Sequence, residues 1–236
     1  MTRQMPLNPR AWLAELIATF ALVFFGTFSV TAAVVIFKFE SATSSVLLIS
    51  FAHGLAITLM IYSVGHISGA HINPAVTIPM ALLKKIDAGN ALGYIVFQLL
   101  GAVLGSLTHL AFLPQGRQIN FGAHAPGDAI GKSEFSAFGI EVILTFFLVF
   151  VIFGTAVSKK AAPGWAGFAI GMTVMMDHLV GIPLTGASMN PARSFGPALV
   201  SGAWASHWVY WAGPIVGGVI AAFLYQHVFI KKEETT

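Results

Sequence analysis

The tripeptide Asn-Pro-Ala occurs twice in the chain, at equivalent positions of a longer internal repeat. The two copies consist of Asn73, Pro74, Ala75 and of Asn190, Pro191, Ala192. They are 117 residues apart (190 − 73), and Gly69 and Gly186 have the same spacing. One such tripeptide arises easily by chance, whereas two copies in register inside a repeat do not. This repeat constrains the fold more than any other feature of the sequence.

Each Asn-Pro-Ala is predicted to begin a short helix. Asn is a favoured N-cap and Pro a favoured first residue, because the first helical turn has amide groups without intrahelical partners. The positive end of each helix dipole then lies at the Asn. The sequence predicts these helices over residues 73–84 and 190–201. About 11 residues rise only roughly 16 Å, about half of a ~30 Å bilayer core, so we expect two half-helices.

The remainder of the chain has the composition of a membrane protein. It is 56% hydrophobic and only 9% charged, whereas soluble domains are about 25% charged. Apolar stretches long enough to span a bilayer are predicted at residues 11–37, 46–65, 91–113, 136–157, 164–181 and 207–230. The first is too long for the apolar region of a cleavable signal. We therefore predict an all-α integral membrane protein with one transmembrane domain over residues 1–236.

Basic residues fall unequally on the two sides of these six spans. One side carries Arg3, Arg10, Lys84, Lys85, Lys159, Lys160, Lys231 and Lys232. The other side carries Lys38, Arg117 and Lys132. Since cytoplasmic loops are richer in Lys and Arg, the first side and both termini are predicted to be cytoplasmic. The expected location is the plasma membrane.

The repeat extends to the outer spans and predicts an inverted arrangement. Glu15 and Glu141 are 126 residues apart (141 − 15), within a first repeat at 11–113 and a second at 136–230, separated by an outer linker at 114–135. Three spans per repeat is an odd number, so the second repeat lies upside down relative to the first. The half-helices then enter from opposite faces and meet at the midplane. The irregular backbone before each Asn must line a wet cavity, because lipid leaves its carbonyls unpaired.

Inverted three-span halves with paired Asn-Pro-Ala half-helices resemble the aquaporin (major intrinsic protein) family, over residues 11–230. The resemblance implies six spans with two re-entrant half-helices, a passive channel in each protomer, and a homotetramer in the lipid bilayer. It implies that Asn73 and Asn190 donate to the permeant at the midplane, where the helix dipoles repel cations. The expected partners are water and small neutral solutes. No cofactor, metal, nucleic acid or enzymatic activity is expected.

The resemblance also implies a narrow outer constriction. Its members are His53, His178, Ala187 and Arg193. Water channels usually have Phe where this chain has His53, glycerol channels have Trp, and a His resembles plant vacuolar members, some of which pass ammonia. Imidazole is smaller and more polar than either ring, so we expect a wider and wetter constriction that admits ammonia. The alternative is that His53 is satisfied in helix packing.

Two further sets of residues are expected to support the channel. The carbonyls predicted to line it are those of Gly69, Ala70, His71, Ile72, Gly186, Ala187, Ser188 and Met189. Glu15 and Glu141 are expected to accept hydrogen bonds from the loop before each half-helix rather than to couple ions. Interfacial hydration is expected for Asp177, and solvation in the outer loop for His124, with a pore-mouth role open for both.

The predicted function is a passive channel for water, and for small neutral solutes such as ammonia, that excludes protons and ions. Ser194 and Ala198 stand where glycerol facilitators typically carry Asp and Lys or Arg, which favours the water type. One alternative is a facilitator for ammonia, urea or glycerol with water secondary. Another is an ion-coupled secondary transporter, for which Glu15, Glu141 and Asp177 are the candidate charges.

Overall fold

The computed structural model describes residues 6–39 and 41–230. Within these residues it contains eight α-helices and no strand. The helices are α1 (Pro9–Thr31), α2 (Ala42–Ser68), α3 (Pro74–Leu82), α4 (Ala88–Phe112), α5 (Glu134–Ile152), α6 (Ala166–Thr185), α7 (Pro191–Ser201) and α8 (Val209–Leu224). π-Helical turns extend α1, α5 and α8 over Ala32–Ile36, Phe153–Val157 and Tyr225–Ile230. The loop between α4 and α5 has 3₁₀ turns at Pro114–Gly122 and Asp128–Ile130.

The all-α architecture with six spanning helices is confirmed. Six helices, counted with their π-helical turns, are long and apolar enough to cross a bilayer, and α3 and α7 are the two short helices. The predicted ends differ by a few residues: α6 runs past residue 181 and through Pro183 until Gly186, whose φ of 83° ends the helix. Three of the basic residues used to predict orientation, Arg3, Lys231 and Lys232, lie outside the described residues.

The two halves of the chain are interlocked by their short helices. The half-helix α3 packs against α8, the last span of the second half, and α7 packs against α4, the last span of the first half. Within each half the first and last spans pack together, α1 with α4 and α5 with α8. Each half-helix is thereby buried between spans of both halves.

Glycines bring the spans into close contact at equivalent places. A Cβ at Gly101 would lie 2.3 Å from the carbonyl oxygen of Leu16, and one at Gly217 would lie 2.2 Å from that of Val142. Between α2 and α6, a Cβ on Gly54 would lie 2.8 Å from the oxygen of Gly171, and one on Gly171 would lie 2.6 Å from that of Gly54. None of these three helix pairs can approach this closely with a larger residue at these points.

The outside of the bundle is apolar, and its interior combines an apolar core with buried polar side chains. Large hydrophobic side chains such as Phe25, Leu59 and Phe112 are exposed, whereas Glu15 and Gln98 are fully buried beside a hydrophobic core that includes Leu22. Exposed apolar side chains in such number are unusual for a soluble domain. They fit a molecule that presents them to lipid.

Candidate functional site

The two segments that precede the half-helices have the same unusual backbone conformation. Left-handed φ angles occur at Gly69 (84°), Ala70 (49°), Ile72 (58°), Gly186 (83°), Ala187 (57°) and Met189 (52°). The second set repeats the first at the spacing of 117 residues found in the sequence. A non-glycine residue in this region costs of order 1–3 kcal/mol and persists only where surrounding contacts hold it.

Glu15 provides those contacts in the first half. Its Oε1 atom accepts hydrogen bonds from Ser68 Oγ (2.6 Å) and from the backbone N–H of His71 (2.9 Å). Its Oε2 atom accepts from the N–H of Ile72 (2.6 Å) and from Gln98 Nε2 (2.8 Å). The buried carboxylate therefore ties α1 to the segment before α3.

Glu141 makes the equivalent contacts in the second half. Its Oε1 atom accepts from Thr185 Oγ1 (2.7 Å) and from the N–H of Ser188 (2.9 Å), and its Oε2 atom accepts from the N–H of Met189 (2.8 Å). Both acids are 0% exposed. Their hydrogen bonds are made within the protein, which leaves them poorly suited to bind a transported ion.

Asn73 and Asn190 cap the two half-helices. Asn73 Oδ1 accepts from the N–H of Ala75 (2.8 Å), and Asn190 Oδ1 accepts from the N–H groups of Ala192 (3.0 Å) and Arg193 (3.3 Å). Pro74 and Pro191 occupy the first helical position, where a missing N–H costs nothing. The positive ends of both helix dipoles therefore lie at these two Asn residues.

The side chain of each capping Asn also donates a hydrogen bond to the other half of the chain. Asn73 Nδ2 donates to the carbonyl oxygen of Met189 (2.8 Å), and Asn190 Nδ2 donates to that of Ile72 (3.0 Å). An amide nitrogen has two N–H donors, so each Asn keeps one for another partner. The carbonyls of Ile72 and Met189, expected to face the permeant, each accept a hydrogen bond from an Asn of the opposite half. A carbonyl oxygen has a second lone pair, and both residues line the cavity described below.

Arg193 is buried and held on two sides. Its Nε and Nη2 atoms donate to His53 Nε2 at 3.3 and 3.2 Å, and Nη1 donates to the carbonyl oxygen of Gly122 at 2.7 Å. His53 Nδ1 lies 2.8 Å from the oxygen of Ile49. Since that oxygen only accepts and Arg193 only donates, His53 is neutral with its proton on Nδ1. Both of its nitrogens are thus used within the protein, and the imidazole contacts the cavity described below.

His178 has a free acceptor at the predicted constriction. Its Nδ1 atom donates to the carbonyl oxygen of Val174 (2.8 Å), and its Nε2 atom is buried without a protein partner in the described residues. The imidazoles of His53 and His178 are stacked, with centroids 4.2 Å apart and planes at 30°. The lone pair of His178 Nε2 and the remaining N–H groups of Arg193 are the polar groups available to a permeant here.

Sequence reasoning missed two residues that contact members of the predicted constriction. Gly26 on α1 makes room for His53, since a Cβ there would lie 2.4 Å from His53 Nε2. Gly122 supplies the carbonyl that accepts from Arg193. Gly26 offered no periodic or motif signal, and Gly122 lies in a long loop whose path the sequence does not reveal.

One cavity of about 300 Å³ contacts His53, His178 and Arg193, the two capping Asn residues and the exposed Lys85. Its lining includes the histidines His53, His71 and His178, the charged Lys85 and Arg193, the capping Asn73 and Asn190, and the residues Gly69, Ala70, Ile72, Ser188 and Met189 of the segments before the half-helices. Aliphatic side chains, among them Leu22, Ile57 and Leu148, cover the remaining wall. Of the predicted wall residues, Gly186 and Ala187 do not contact this cavity; a Cβ at Gly181 would lie 2.9 Å from the Ala187 Cβ, which packs against α6.

The sequence model of the family described as "Major intrinsic protein" matches residues 2–225. The chain belongs to the major intrinsic protein family. Aquaporin TIP4-4 of Zea mays is 41% identical to this family member over 94% of the chain and 88% of the relative. Aquaporin NIP1-1 of Zea mays is 42% identical over 90% of the chain and 72% of the relative. The X-ray structure of the aquaglyceroporin from Plasmodium falciparum shares the fold, with a TM-score of 0.82, 24% identity and coverage of 97% and 99% of the two chains.

Two titratable residues of this major intrinsic protein are buried, although the sequence predicted that both are hydrated. His124 is not solvated: it is buried against Gly186 and Tyr210, and its Nδ1 atom lies 2.8 Å from Ser194 Oγ. Burial, and next the positive charge of Arg193, lower the pKa of His124 well below its usual value. Asp177 is only 3% exposed, so the predicted interfacial hydration is wrong. Among the described residues, no group of three or more His, Cys, Asp or Glu is placed to hold a metal ion.

Proposed function

We propose that this protein is a passive channel for water that also passes small neutral solutes such as ammonia and excludes protons and ions. The observation that carries this proposal is the single cavity that contacts Arg193, both capping Asn residues and Lys85. A cavity shared by Arg193, both caps and the exposed Lys85 gives a permeant a path without a moving half. Passive permeation therefore fits the geometry better than alternating access.

Exclusion of protons and cations is proposed to arise at the centre and at the constriction. The free N–H groups of Asn73 and Asn190 are suited to hold the oxygen of one water, whose hydrogens must then point away from both helix ends. Such a water cannot accept a proton from its neighbour, which interrupts a proton wire. The two positive helix ends and the guanidinium of Arg193 repel cations.

The constriction is suited to small neutral molecules with both a donor and an acceptor. Water or ammonia can accept from Arg193 while donating to the lone pair of His178 Nε2. Ammonium has no acceptor lone pair and carries the same charge as Arg193. We therefore propose that the neutral forms enter and the charged form does not.

A second candidate is a facilitator of ammonia, urea or glycerol in which water is secondary. The composition of the cavity wall favours this candidate. Among the described residues that line the cavity, the aromatic rings are all imidazoles of histidine. The rival ion-coupled transporter is not favoured, because Glu15 and Glu141 are satisfied by the segments they hold and Asp177 is not part of the cavity wall in the described chain.

The assembly and its placement are also proposals. We propose a homotetramer with one pore per protomer, in the plasma membrane, with both termini cytoplasmic. We propose that the inverted repeats comprise residues 11–113 and 136–230. The equivalent hydrogen bonds of Glu15 and Glu141 support the repeat, and basic residues such as Arg10 and Lys84 support the orientation.

Stopped-flow light scattering on proteoliposomes tests the proposed function. Proteoliposomes with wild-type protein should shrink faster than empty liposomes, with a low activation energy and no dependence on ion gradients. Exposure to ammonia should raise their internal pH, because ammonia that enters binds a proton. Arg193→Val should admit larger neutral solutes and protons. Arg117→Val removes an exposed arginine of the outer loop. It should change neither the permeability to larger neutral solutes nor the permeability to protons. Flux that requires an ion gradient would instead indicate a transporter.

A further inference from the structure

We propose that His109, which lies outside the cavity wall, is a positioning residue that holds Arg193 in place through the outer loop Pro114–Gly122. The proposal rests on the proposed channel function, because it concerns the selectivity of the same constriction. It connects a buried polar cluster between α1 and α4 to the carbonyl of Gly122, which accepts a hydrogen bond from Arg193.

His109 is anchored by two hydroxyl groups of α1. Its Nδ1 atom lies 2.8 Å from Thr27 Oγ1 and its Nε2 atom 2.9 Å from Thr31 Oγ1. The two threonines are one helical turn apart, so the imidazole bridges them. All three side chains are 0% exposed. A neutral imidazole has one donor and one acceptor, and a hydroxyl can serve as either, so the cluster is satisfied.

The outer loop is folded over this imidazole. Phe121 is 1% exposed and packs edge-on against His109, with ring centroids 5.1 Å apart. A Cβ at Gly116 would lie 2.6 Å from His109 Nε2 and 2.7 Å from Phe121 Cδ1, so the backbone of the loop lies directly on both rings. His109 is therefore the surface on which the loop rests.

The end of the loop needs this support because its backbone is strained. Asn120, Phe121 and Gly122 have consecutive left-handed φ angles of 48°, 53° and 71°. Asn tolerates this region better than most residues, but a Phe there is a genuine outlier. A buried Phe121 compensates for that strain only while its ring has His109 to pack against. The strained turn then presents the Gly122 carbonyl to Arg193.

Arg193 thus depends on two supports, His53 from α2 and Gly122 from the loop. Without His109, Phe121 loses the ring on which it packs edge-on and the turn relaxes, so the Gly122 carbonyl no longer fixes Nη1 of Arg193. The guanidinium would then be held from one side and would move within the constriction. The expected consequence is weaker discrimination by size, rather than loss of conduction.

The ratio of urea to water permeability per reconstituted protein separates positioning from simple instability. Misfolded protein lowers both permeabilities by the same factor, whereas a mobile Arg193 raises the ratio. We expect His109→Ala to raise it about threefold, the size expected for loss of one hydrogen bond. His109→Gln, which can bridge the two threonines with one donor and one acceptor, should restore most of the wild-type ratio. His66→Ala removes an exposed histidine of α2 and is the matched control.

The effect should also depend on Arg193. In an Arg193→Val background, His109→Ala should not change the ratio further, since residues that act through one partner are non-additive. If His109→Ala does not fold, Thr31→Val removes one anchor with little change of shape and should raise the ratio in the same direction. An unchanged ratio in folded His109→Ala or Thr31→Val, in protein that conducts water, overturns the inference alone. Wild-type protein without water conduction would instead overturn the proposed function.

Discussion

His53 and Arg193 are joined by two hydrogen bonds to a single atom, since Nε and Nη2 of the arginine both donate to His53 Nε2 at 3.3 and 3.2 Å. The histidine is thereby an acceptor for the guanidinium and not a polar group for the permeant. We propose that its contribution to selectivity is to hold Arg193 to one side of the cavity. The size and position of the opening then depend on this pair together, more than on the polarity of the imidazole.

Replacing His53 with Phe should therefore alter both the opening and the arginine. Phe is larger and has no acceptor, so Arg193 loses its support from α2. We expect ammonia permeability to fall about tenfold relative to water, the change that corresponds to about 1.4 kcal/mol. The internal pH rise on exposure to ammonia, compared with osmotic shrinkage of the same proteoliposomes, measures this ratio.

The control for this prediction is His66→Phe, the same substitution at an exposed position on the same helix. It should leave the ratio of ammonia to water permeability unchanged. An unchanged ratio in His53→Phe itself would show that position 53 does not set selectivity between these two solutes.

Gly26 is predicted to be a second determinant of the constriction. A Cβ at Gly26 would lie 2.4 Å from His53 Nε2, so Gly26→Ala must displace the imidazole and break its contact with Arg193. Water permeability should fall several-fold, and the overpacking should cost about 1–3 kcal/mol of stability. Stopped-flow shrinkage and thermal unfolding in detergent measure the two effects.

Gly139→Ala on α5 is the matched control, because a Cβ there has nothing within 4 Å. It should leave water permeability unchanged and raise helix stability by up to about 1 kcal/mol. Equal water permeabilities for the two alanine variants would argue against a role of Gly26 in shaping the constriction.

The sequence predicted the half-helices because Asn, Pro and the spacing of the repeat carry local and periodic information. Asn73 and Asn190 begin α3 and α7 at the predicted positions. The support of Arg193 by Gly122 was not predictable, since it joins a helix to a loop 71 residues away without any repeat counterpart. The burial of Asp177 was missed for a related reason: which face of α6 meets α5 depends on close contacts such as Gly181 against Leu144, and not on hydropathy alone.

Asp177 is predicted to lower the stability of the protein. Its Oδ2 atom is buried without a hydrogen-bond partner in the described chain, and an unsatisfied buried polar group costs about 1–3 kcal/mol. Asp177→Leu removes that cost with a side chain of similar length, so thermal unfolding should occur at a higher temperature. Water permeability should not change, because Asp177 is not part of the described cavity wall.

Asp128→Leu, at an exposed residue paired with Lys132 at 3.1 Å, is the control for added hydrophobicity. It should leave the unfolding temperature nearly unchanged, as exposed ion pairs contribute about 0–1 kcal/mol. A loss of stability in Asp177→Leu would show that the carboxyl has a partner the described residues do not provide.

His124 is predicted to make stability depend on pH in the mildly acidic range. Its pKa is lowered in the folded protein, first by burial and then by Arg193, whereas an unfolded histidine has a pKa of about 6.5. Below that pH the unfolded state binds a proton that the folded state does not, so stability falls as pH falls. Unfolding temperatures measured from pH 8 to pH 5 should decrease for the wild type and decrease less for His124→Gln. The control is His66→Gln at an exposed position, for which the unfolding temperature should change with pH as it does in the wild type. A His124→Gln profile parallel to that of the wild type would contradict the prediction.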